Sequence, residues 1–423
     1  MRILILTQYF YPEPETIPFE LATGLAERGH EVIVATGFPN YPYGRVFPGY
    51  RQQPWKKEAI QGVKVCRFPL YPDRSRSILG RCLYYLSLSS SITLLGNLFC
   101  GRIDIIFVYH PITLGLPAFW IGLLHRAPFV LNIQDMYPES LSATSIADSN
   151  IAIQIVSKLA KFVYQKAAAI AVISNGFRQN LLSKGVASEK IHVILNWANE
   201  NLYVPMPRDE SLAESCGMGG RFNAVYAGSM GPPQGLHSVI EAAFLLRDVE
   251  DMQFVLIGDG MDKSELEALA ERRKMSNVIF LPRQPAARIA SFYALADILI
   301  VHLRNKPLFE ITIPSKIQSY LAFGRPILIG VKGEAADLVM KAGAGVKAEP
   351  SNPSDIARGI LQIYNMSEKD RERMGNAGRH YFFQNLTMKK GIDSYENLFK
   401  AVIREKGGKI NRGEGNGVSN GFS

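Results

Sequence analysis

The chain predicts an α/β fold built from two doubly wound domains. Its 423 residues exceed what one hydrophobic core usually holds. A strand pattern at 3–7, a helical pattern at 16–28 and a second strand pattern at 31–36 form a βαβ unit, which requires a parallel sheet. The same alternation begins again at Phe222, after a stretch at 200–220 that is rich in proline, glycine and charge.

Composition excludes several classes of protein. With 47% hydrophobic and 20% charged residues, the chain is an ordinary globular protein. The net charge of +9 suits nucleic acid, an anionic membrane leaflet or phosphorylated substrates, but no basic run with interleaved aromatic residues favours nucleic acid. The four cysteines form no C-x-x-C pair, which argues against zinc and indicates a reducing compartment. The first apolar run is too short for a signal peptide, so a cytoplasmic location is expected.

Two uncharged runs, 82–101 and 105–124, have the length of a membrane-spanning helix. The first contains serine, threonine and asparagine at six positions, and the second is interrupted by Pro111 and Pro117. We therefore expect the first to be a helix that is partly buried or lies in the membrane interface. We expect the second to be a strand, a loop and a helix.

The stretch 309–327 carries the densest group of polar candidates. A short loop with Glu310 and Thr312 precedes a helix that Ser315 can cap and that Gly324 ends. A helix N-terminus next to a carboxylate and Lys316 can hold a nucleotide phosphate and its sugar. An ordinary αβ unit with a charged loop explains the same residues equally well.

Polar residues also follow the strands of the N-terminal half. The aromatic loop at 38–44 contains Asn40, Tyr41 and Tyr43, and it reads either as a ligand-binding edge or as a surface turn. The strand at 129–133 leads to three further polar residues, Gln134, Asp135 and Glu139. Carboxylates in this position act as bases or bind hydroxyl groups, or they only cap the next helix.

Glycine-containing turns follow two strands of the C-terminal half. The loop at 228–236 contains Gly228, Ser229 and Gln234 and can hold a diphosphate on its backbone amides. Gly258 and Gly260 lead into a helix, which alone is a weak signal because glycine also serves tight turns. The G-x-G-x-x-G fingerprint of dehydrogenases is missing after the first strand, so a nicotinamide enzyme is disfavoured.

The segment Ala322-Phe323-Gly324-Arg325-Pro326 resembles the end of the donor-site motif of the retaining family 4 glycosyltransferases. The resemblance extends from Met1 to about residue 405. It is strongest to the bacterial subgroup that builds exopolysaccharide, O-antigen and colanic-acid-type units, in which the wording P-S-K-I-Q-S-Y-L-A is typical.

That resemblance implies the GT-B fold, with two Rossmann-like domains facing a cleft. The implied boundaries are an acceptor-side domain at 1–200, a linker at 201–220 and a nucleotide-sugar-binding domain at 221–390. A C-terminal helix at 391–405 would cross back to the first domain, followed by a disordered tail at 406–423.

The resemblance also assigns roles to residues. Glu310, offset by one from the family's first glutamate, would contact the donor sugar, and Ser319 stands where a second glutamate binds the ribose. Gln134, which replaces a frequent histidine, and Asp135 would orient the sugar or acceptor. The remaining donor-binding candidates are Gly228, Ser229, Gln234, Gly258, Gly260, Arg283, Arg304, Lys306, Thr312, Ser315 and Lys316. The acceptor-binding candidates are Asn40, Tyr41, Tyr43 and Glu139.

The implied activity is retaining transfer of a sugar, including N-acetylated amino sugars, from a nucleotide-sugar to a saccharide acceptor. The acceptor would be lipid-linked, and the enzyme would touch the inner face of the plasma membrane without binding nucleic acid. No cofactor or metal is expected, since the chain has no D-x-D sequence. The departures at Ser319, Gln234 and Gln134 leave a catalytically degenerate partner subunit open, and a nucleotide-sugar epimerase of the same fold is the other alternative.

Overall fold

The computed structural model of the protein describes residues 1–73, 78–140 and 150–414. Contacts divide the chain into two compact units. The first unit contains Met1–Ile173, Phe177–Ile194 and the C-terminal segment from Lys389, and the second contains Ser174–Gly176 and Leu195–Met388. Each unit has its own sheet with helices between the strands, parallel except for one edge strand of the first unit, which confirms the predicted α/β class with two doubly wound sheets.

The sheet of the first unit has the strand order β3-β4-β2-β1-β5-β6-β7-β8. Its strands are β1 (Arg2–Thr7), β2 (Glu31–Gly37), β3 (Lys56–Ile60), β4 (Val63–Phe68), β5 (Ile105–Tyr109), β6 (Phe129–Ile133), β7 (Ala169–Val172) and β8 (Ile191–Val193). The central strands β5 and β6 are buried at every position, as expected for strands covered on both faces. The sequence did not predict β3, an antiparallel edge strand whose K-K-E-A-I sequence is rich in charge.

The helices of the first unit are α1 (Ile17–Glu27), α2 (Ile78–Leu95), α3 (Gly115–Leu124), α4 (Asn150–Lys166), α5 (Asn175–Ser183) and, at the C-terminus, α15 (Met388–Glu414). Both uncharged runs have the predicted secondary structure: most of the first lies in α2, and the second contains β5 followed by α3. Within residues 1–73, 78–140 and 150–414, no helix combines the length and apolar character needed to cross a bilayer.

Helix α15 completes the core of the first unit. Tyr395 packs against Phe107 of β5, with 5.0 Å between ring centroids, and its hydroxyl accepts a 2.6 Å hydrogen bond from Asn132 of β6. Arg28 beyond α1 forms an ion pair with Glu396 at 2.6 Å. The predicted disordered tail at 406–423 is wrong for 406–414, which continue this helix, and residues 415–423 lie outside the described residues.

The second unit has a fully parallel sheet in the order β11-β10-β9-β12-β13-β14. Its strands are β9 (Phe222–Ser229), β10 (Met252–Asp259), β11 (Val278–Leu281), β12 (Ile298–His302), β13 (Ile327–Gly330) and β14 (Gly345–Lys347). Its helices are α6 (Glu210–Ser215), α7 (His237–Leu245), α8 (Lys263–Arg272), α9 (Ala286–Ala294), α10 (Pro307–Glu310), α11 (Lys316–Phe323), α12 (Glu334–Lys341), α13 (Pro353–Tyr364) and α14 (Glu368–Asn385).

The stretch 201–220 is more ordered than the linker that its composition predicts. It contains α6, whose N-cap Asp209 accepts a 3.0 Å hydrogen bond from the Leu212 amide. The Arg208 side chain donates to the carbonyl groups of Leu295 and Met218. These contacts fasten the stretch to the second unit.

Candidate functional site

In the second unit, the loop that follows β9 is fixed by tyrosines. The Tyr320 hydroxyl on α11 accepts a 3.0 Å hydrogen bond from the Ala227 amide and donates to the Ala227 carbonyl at 3.3 Å. The Tyr226 hydroxyl donates to the Ser229 carbonyl at 2.6 Å. Both tyrosines are fully buried, so they fix the end of β9 from the protein interior. Gly228 and Ser229 stay exposed.

The glycines of this region permit two strand-end loops to touch. A Cβ atom on Gly258, at the end of β10, would overlap the carbonyl oxygen of Gly228. A Cβ atom on Gly260 would overlap the Met230 carbonyl in the same way. Gly258 has φ +154° and Gly260 has φ +158°, which side chains rarely tolerate. The glycines that the sequence indicates therefore serve the close approach of the β9 and β10 loops.

Lys316 points its ammonium group toward this loop. Its Nζ lies 3.6 Å from the centroid of the Tyr226 ring, and a Cβ on Gly228 would lie 2.9 Å from it. Among the residues that the structure describes, Nζ has no hydrogen-bond partner. Burial holds the pKa of Lys316 well below its usual value. A buried amine that contacts an aromatic ring but no hydrogen-bond acceptor is suited to bind an anion.

Arg304 approaches the same loop from the end of β12. Its amide donates to the Pro233 carbonyl at 2.9 Å, and a Cβ on Gly235 would lie 2.8 Å from its Cγ. The side chain is exposed. The donor-binding candidates include four basic residues, and two of them, Arg304 and Lys316, lie close to this loop. Of the other two, Arg283 is an exposed residue just after β11, and Lys306 follows Arg304 in the chain.

His302 is a positioning residue that sequence reasoning missed. Its Nδ1 lies 2.6 Å from the Gln234 carbonyl, and its Nε2 accepts a 3.1 Å hydrogen bond from the Ser351 amide. Burial lowers the pKa of His302 to about 4, against the opposing influence of the Gln234 carbonyl. The neutral ring therefore joins the β9 loop to the segment after β14. The signal available in the sequence was its position as the last residue of a buried strand.

Other donor-side candidates make local contacts. Ser319 is 6% exposed, and its hydroxyl donates to the Lys316 carbonyl at 2.9 Å. The Thr312 hydroxyl donates to the Leu308 carbonyl at 2.8 Å, and Gln234 Oε1 accepts from the Gly231 amide at 3.1 Å. Ser315 is the N-cap residue of α11, as predicted, but within the described part of the chain its side chain forms no capping hydrogen bond. A list of donor residues drawn from the sequence therefore mixes residues that face the loop with residues that stabilise it.

Glu310 is the exposed last residue of α10. A Cβ on Gly333, which has φ +68°, would overlap the Glu310 carbonyl oxygen. The backbone of Glu310 is therefore packed closely against the start of α12, while its carboxylate faces solvent. This arrangement leaves the carboxylate free to accept hydrogen bonds from a ligand.

In the first unit, Glu13 organises the aromatic loop at 38–44. Its Oε1 accepts from the amides of Asn40 and Tyr41 at 2.9 and 2.8 Å, and its Oε2 accepts from the Phe10 amide at 3.1 Å. Burial raises the pKa of Glu13 to about 7 even though these hydrogen bonds oppose the rise. Tyr9 then packs on Tyr41 with ring centroids 4.8 Å apart.

The three acceptor-loop candidates differ in exposure. Asn40 is 1% exposed, and its amide donates to the Phe38 carbonyl at 3.0 Å, so it shapes the loop. Tyr41 is half-buried, and Tyr43 is 63% exposed beside Phe47. Only the two tyrosines offer side-chain surface to a ligand.

The residues after β6 separate into two groups. Gln134 donates to Asn132 Oδ1 at 2.7 Å, which turns its amide toward the sheet and the Asn132–Tyr395 hydrogen bond. Glu139 pairs with Lys184 at 2.7 Å and accepts from Asn180 at 3.2 Å. Burial opposes ionisation of Glu139, but these partners hold its pKa below the usual value. Asp135 alone among the three is exposed.

Two further polar residues meet at this edge of the sheet. The Tyr109 hydroxyl, at the end of β5, donates to Glu15 at 3.0 Å. Nε2 of His110, the next residue, lies 3.4 Å from Asp135 Oδ2. Neither His110 nor Tyr109 is among the site residues predicted from the sequence, although both stand where a predicted strand ends.

A search of residues 1–73, 78–140 and 150–414 finds no group of three or more histidine, cysteine, aspartate or glutamate side chains arranged to hold a metal ion.

Comparison with known families matches both halves of the chain. Residues 14–197 match the family described as Glycosyl transferase 4-like domain, and residues 217–381 match Glycosyl transferases group 1. The colanic acid biosynthesis glycosyl transferase WcaI of Escherichia coli K12 is 27% identical over 86% of this chain and 92% of its own. The probable glycosyltransferase WbjE of Pseudomonas aeruginosa is 25% identical over 66% of this chain and 69% of its own.

Solved structures show the same fold. The crystal structure of Anabaena HepE in complex with UDP and glucose has a TM-score of 0.71 at 18% identity, covering 95% of this chain and 99% of that one. The trehalose-6-phosphate enzyme structure from E. coli bound with UDP-2-fluoro glucose has a TM-score of 0.70 at 12% identity, with coverage of 95% and 99%. The two domain matches, the relatives and the shared fold show that the chain belongs to the family 4 glycosyltransferases of the GT-B fold.

Proposed function

We propose that this glycosyltransferase moves a sugar from a nucleotide-sugar donor to a saccharide acceptor in the synthesis of a cell-surface polysaccharide. The observation that carries the donor part is the placement of Lys316 and Arg304 along the glycine-containing loop after β9. The polysaccharide part is supported by the relatives named for colanic acid biosynthesis and for O-antigen chain mannosyl transfer.

The donor diphosphate would lie on the loop at 228–235. Exposed backbone at Gly228 and Ser229, the Lys316 ammonium and the Arg304 guanidinium can share its negative charge. As the nucleoside diphosphate leaves, charge grows on its outer phosphate, and fixed cations lower the barrier to that step. The exposed Glu310 carboxylate would accept hydrogen bonds from hydroxyl groups of the donor sugar.

Transfer with retention is part of the proposal. The acceptor hydroxyl would attack from the side of the leaving group, and a phosphate oxygen of the departing diphosphate would take its proton. This route requires no protein nucleophile and no metal, so the chain's task is to neutralise charge and to orient both sugars.

UDP is the first nucleotide to test, and an N-acetylated amino sugar is the first sugar. Structural neighbours hold UDP, UDP-glucose and UDP-2-fluoro glucose. One relative is named N-acetyl-alpha-D-glucosaminyl L-malate synthase. Another relative is named for GDP-mannose, so GDP-sugars form the matched comparison.

A lipid-linked acceptor would bring the enzyme to the inner face of the plasma membrane, and the first unit offers a surface for it. Leu83, Trp120 and Leu124 are 44%, 45% and 50% exposed, and α3 packs against both α2 and α4. Ile155 of α4 is 61% exposed.

Basic residues accompany these helices. Exposed Arg126, Lys158 and Lys161 lie on or beside them and suit anionic headgroups. We call the exposed apolar residues of α2, α3 and α4 the apolar helix surface.

The decisive experiment is a thermal-shift panel with UDP, GDP, ADP and their sugars. A ligand that binds only the folded protein raises its melting temperature in proportion to the logarithm of concentration over Kd. We expect one nucleotide class to raise the melting temperature, and we expect that class to be UDP and its sugars. If no nucleotide changes it, the donor proposal fails and a degenerate partner subunit becomes the better explanation.

Product analysis separates transfer from epimerisation. With the nucleotide-sugar that binds, release of nucleoside diphosphate only in the presence of a saccharide acceptor supports transfer, and donor conversion without acceptor supports an epimerase. Glu310→Ala should lower turnover much more than it changes nucleotide binding. Unchanged turnover in that variant would remove Glu310 from the site.

A further inference from the structure

At the carboxyl edge of the first unit's sheet, titratable side chains gather around Asp135. Glu15 follows β1, Tyr85 lies on α2, and Tyr109 ends β5, and each has its pKa raised mainly by burial and partly by the charge of Asp135. Tyr137 from the same loop is influenced in the same way. Asp135 keeps a side chain that is 55% exposed. The cluster therefore has one carboxylate open to ligand at its centre.

His110 gives this carboxylate a partner from the neighbouring strand. Its side chain is 16% exposed, and Nε2 lies 3.4 Å from Asp135 Oδ2. The ring stacks on Tyr137 at 6.2 Å with 15° between the planes, which fixes its orientation. Burial lowers the pKa of His110, and Asp135 opposes that shift without overcoming it. A lowered pKa favours the neutral ring at pH 7.

A neutral imidazole has one protonated nitrogen and one acceptor nitrogen. Because Nε2 faces a carboxylate oxygen, the proton belongs on Nε2, and Nδ1 is left as an acceptor. Asp135 contributes a second acceptor beside it. The two acceptors point in different directions, because Nδ1 lies across the ring from the nitrogen that faces Asp135. Together they fit hydroxyl groups of a sugar, which must donate hydrogen bonds when they leave water.

We propose that His110 and Asp135 form a hydroxyl-binding dyad for the acceptor sugar. His110 supplies, from the end of β5, an imidazole that the chain lacks at Gln134, whose amide is bound to Asn132. The dyad orients the attacking hydroxyl and takes no proton from it. This inference deepens the proposed function and rests on it, since it names a binding group of the acceptor side.

The dyad is tested first without any reaction. In full-length protein labelled with ¹⁵N-histidine, His110→Asn identifies the ring signals of His110 by their loss. We expect the Nε2–H tautomer at pH 7 and a pKa below the ordinary 6.5. Asp135→Asn should lower that pKa further, because it removes the charge that favours the imidazolium. His192, whose pKa is also lowered by burial but which has no contact with Asp135 in the described structure, is the control histidine. An ordinary pKa that Asp135→Asn leaves unchanged overturns the dyad.

Glucose and N-acetylglucosamine are the probes for binding. We expect each to move the His110 ring signals, and His110→Asn to weaken probe binding about tenfold, the loss of about one hydrogen bond. Probe affinity should fall as the pH falls through the His110 pKa, because the imidazolium cannot accept. In Glu15→Gln, probe affinity should still fall as the pH falls through the His110 pKa. His192→Asn should leave probe affinity unchanged.

If neither sugar moves the His110 signals, the binding role is wrong. The donor proposal is judged separately, because the thermal shift caused by nucleotides depends on the second unit and should be the same in His110→Asn. A nucleotide shift that persists without any response of His110 overturns only the dyad. If nucleotides do not change the melting temperature of the unmodified protein, the proposed function is overturned. The ¹⁵N titration still tests the dyad's geometry in that case.

Discussion

A single side chain, Lys316, shows how the donor site is prepared for an anion. Its ammonium group is buried over Tyr226 and, within the described structure, has no hydrogen-bond partner, so the empty site carries the cost of desolvating it. A diphosphate that reaches Nζ supplies the missing partner. Binding of the donor therefore offsets the desolvation free energy of Lys316 that the empty protein carries.

Lys316→Met tests this arrangement by keeping length and removing charge. We expect the melting temperature without ligand to stay the same or rise, because no cation remains to be buried. Affinity for the nucleotide that binds should fall about 10- to 100-fold, as for loss of a charge-assisted hydrogen bond. Lys341→Met on α12 is the exposed control. Unchanged affinity in Lys316→Met would place the diphosphate elsewhere.

Glu13 makes a prediction about pH. Its pKa is raised from an ordinary 4.5 to about 7 in the folded protein, so protonation favours folding. That stabilisation is complete below pH 4.5 and is lost as the pH rises through about 7. Relative to Glu13→Gln, which cannot ionise, the unfolding free energy of the unmodified protein should fall by up to about 3 kcal/mol over this range.

The measurement is denaturant unfolding of both proteins at a series of pH values. A constant difference between them would show that folding leaves the pKa of Glu13 at its ordinary value, with its three amide donors balancing the effect of burial. Glu31→Gln serves as the control, since Glu31 is a surface carboxylate of the same unit whose pKa is lowered, chiefly by its hydrogen bond with Lys64.

Residues at strand ends could be predicted from the sequence, but their partners could not. Gly228, Asp135 and Lys316 were recognised because periodicity locates where a strand stops or a helix starts. The His110–Asp135 and Glu13–Asn40 contacts join loops that follow two different strands, and only the sheet order shows that those strands are neighbours. Gln134 shows the reverse case, because its position suggested a ligand and its amide is bound to Asn132.

At the scale of elements, β9 and β10 run in register to their last residues, with Gly258 beside Gly228 and Asp259 beside Ser229. The two loops that follow therefore leave the sheet together, and only glycine permits their contact. The sequence showed these glycines as a weak motif. What it could not show is that each glycine makes room for the carbonyl oxygen of the neighbouring loop.

Gly258→Ala should disturb this contact directly. The added methyl group would overlap the Gly228 carbonyl at a backbone angle that alanine rarely adopts, so we expect a loss of about 2–4 kcal/mol in unfolding free energy. Gly231→Ala in the neighbouring loop is the matched control for stability, because its Cβ would meet Gln234 Oε1 at 3.5 Å and Pro233 Cδ at 3.9 Å, which are ordinary contacts. Equal stability of the two variants would contradict the account of the glycines.

At the scale of the whole molecule, the apolar helix surface belongs to the first unit, and it predicts binding to membranes. Leu124→Glu places a charge where the side chain is 50% exposed, and Leu245→Glu does the same in the second unit at 49%. We expect Leu124→Glu to reduce co-sedimentation with vesicles that contain anionic lipid, because a buried carboxylate and its repulsion both oppose docking. Leu245→Glu should bind as the unmodified protein does.

High salt should weaken vesicle binding without abolishing it, since apolar contact remains when charge is screened. Equal loss in both variants would show that added negative charge, and not the apolar helix surface, controls binding. Full binding of Leu124→Glu would remove α3 from the membrane contact.

The first unit is assembled from distant parts of the chain, and this has a consequence for biosynthesis. Its strands are complete at Val193, but the hydroxyl group that pairs with Asn132 and the ring that covers Phe107 belong to Tyr395. A ribosome makes the whole of Leu195–Met388 before it reaches that residue. During translation, the sheet of the first unit therefore stays uncovered at Asn132 and Phe107 until the ribosome has added Tyr395.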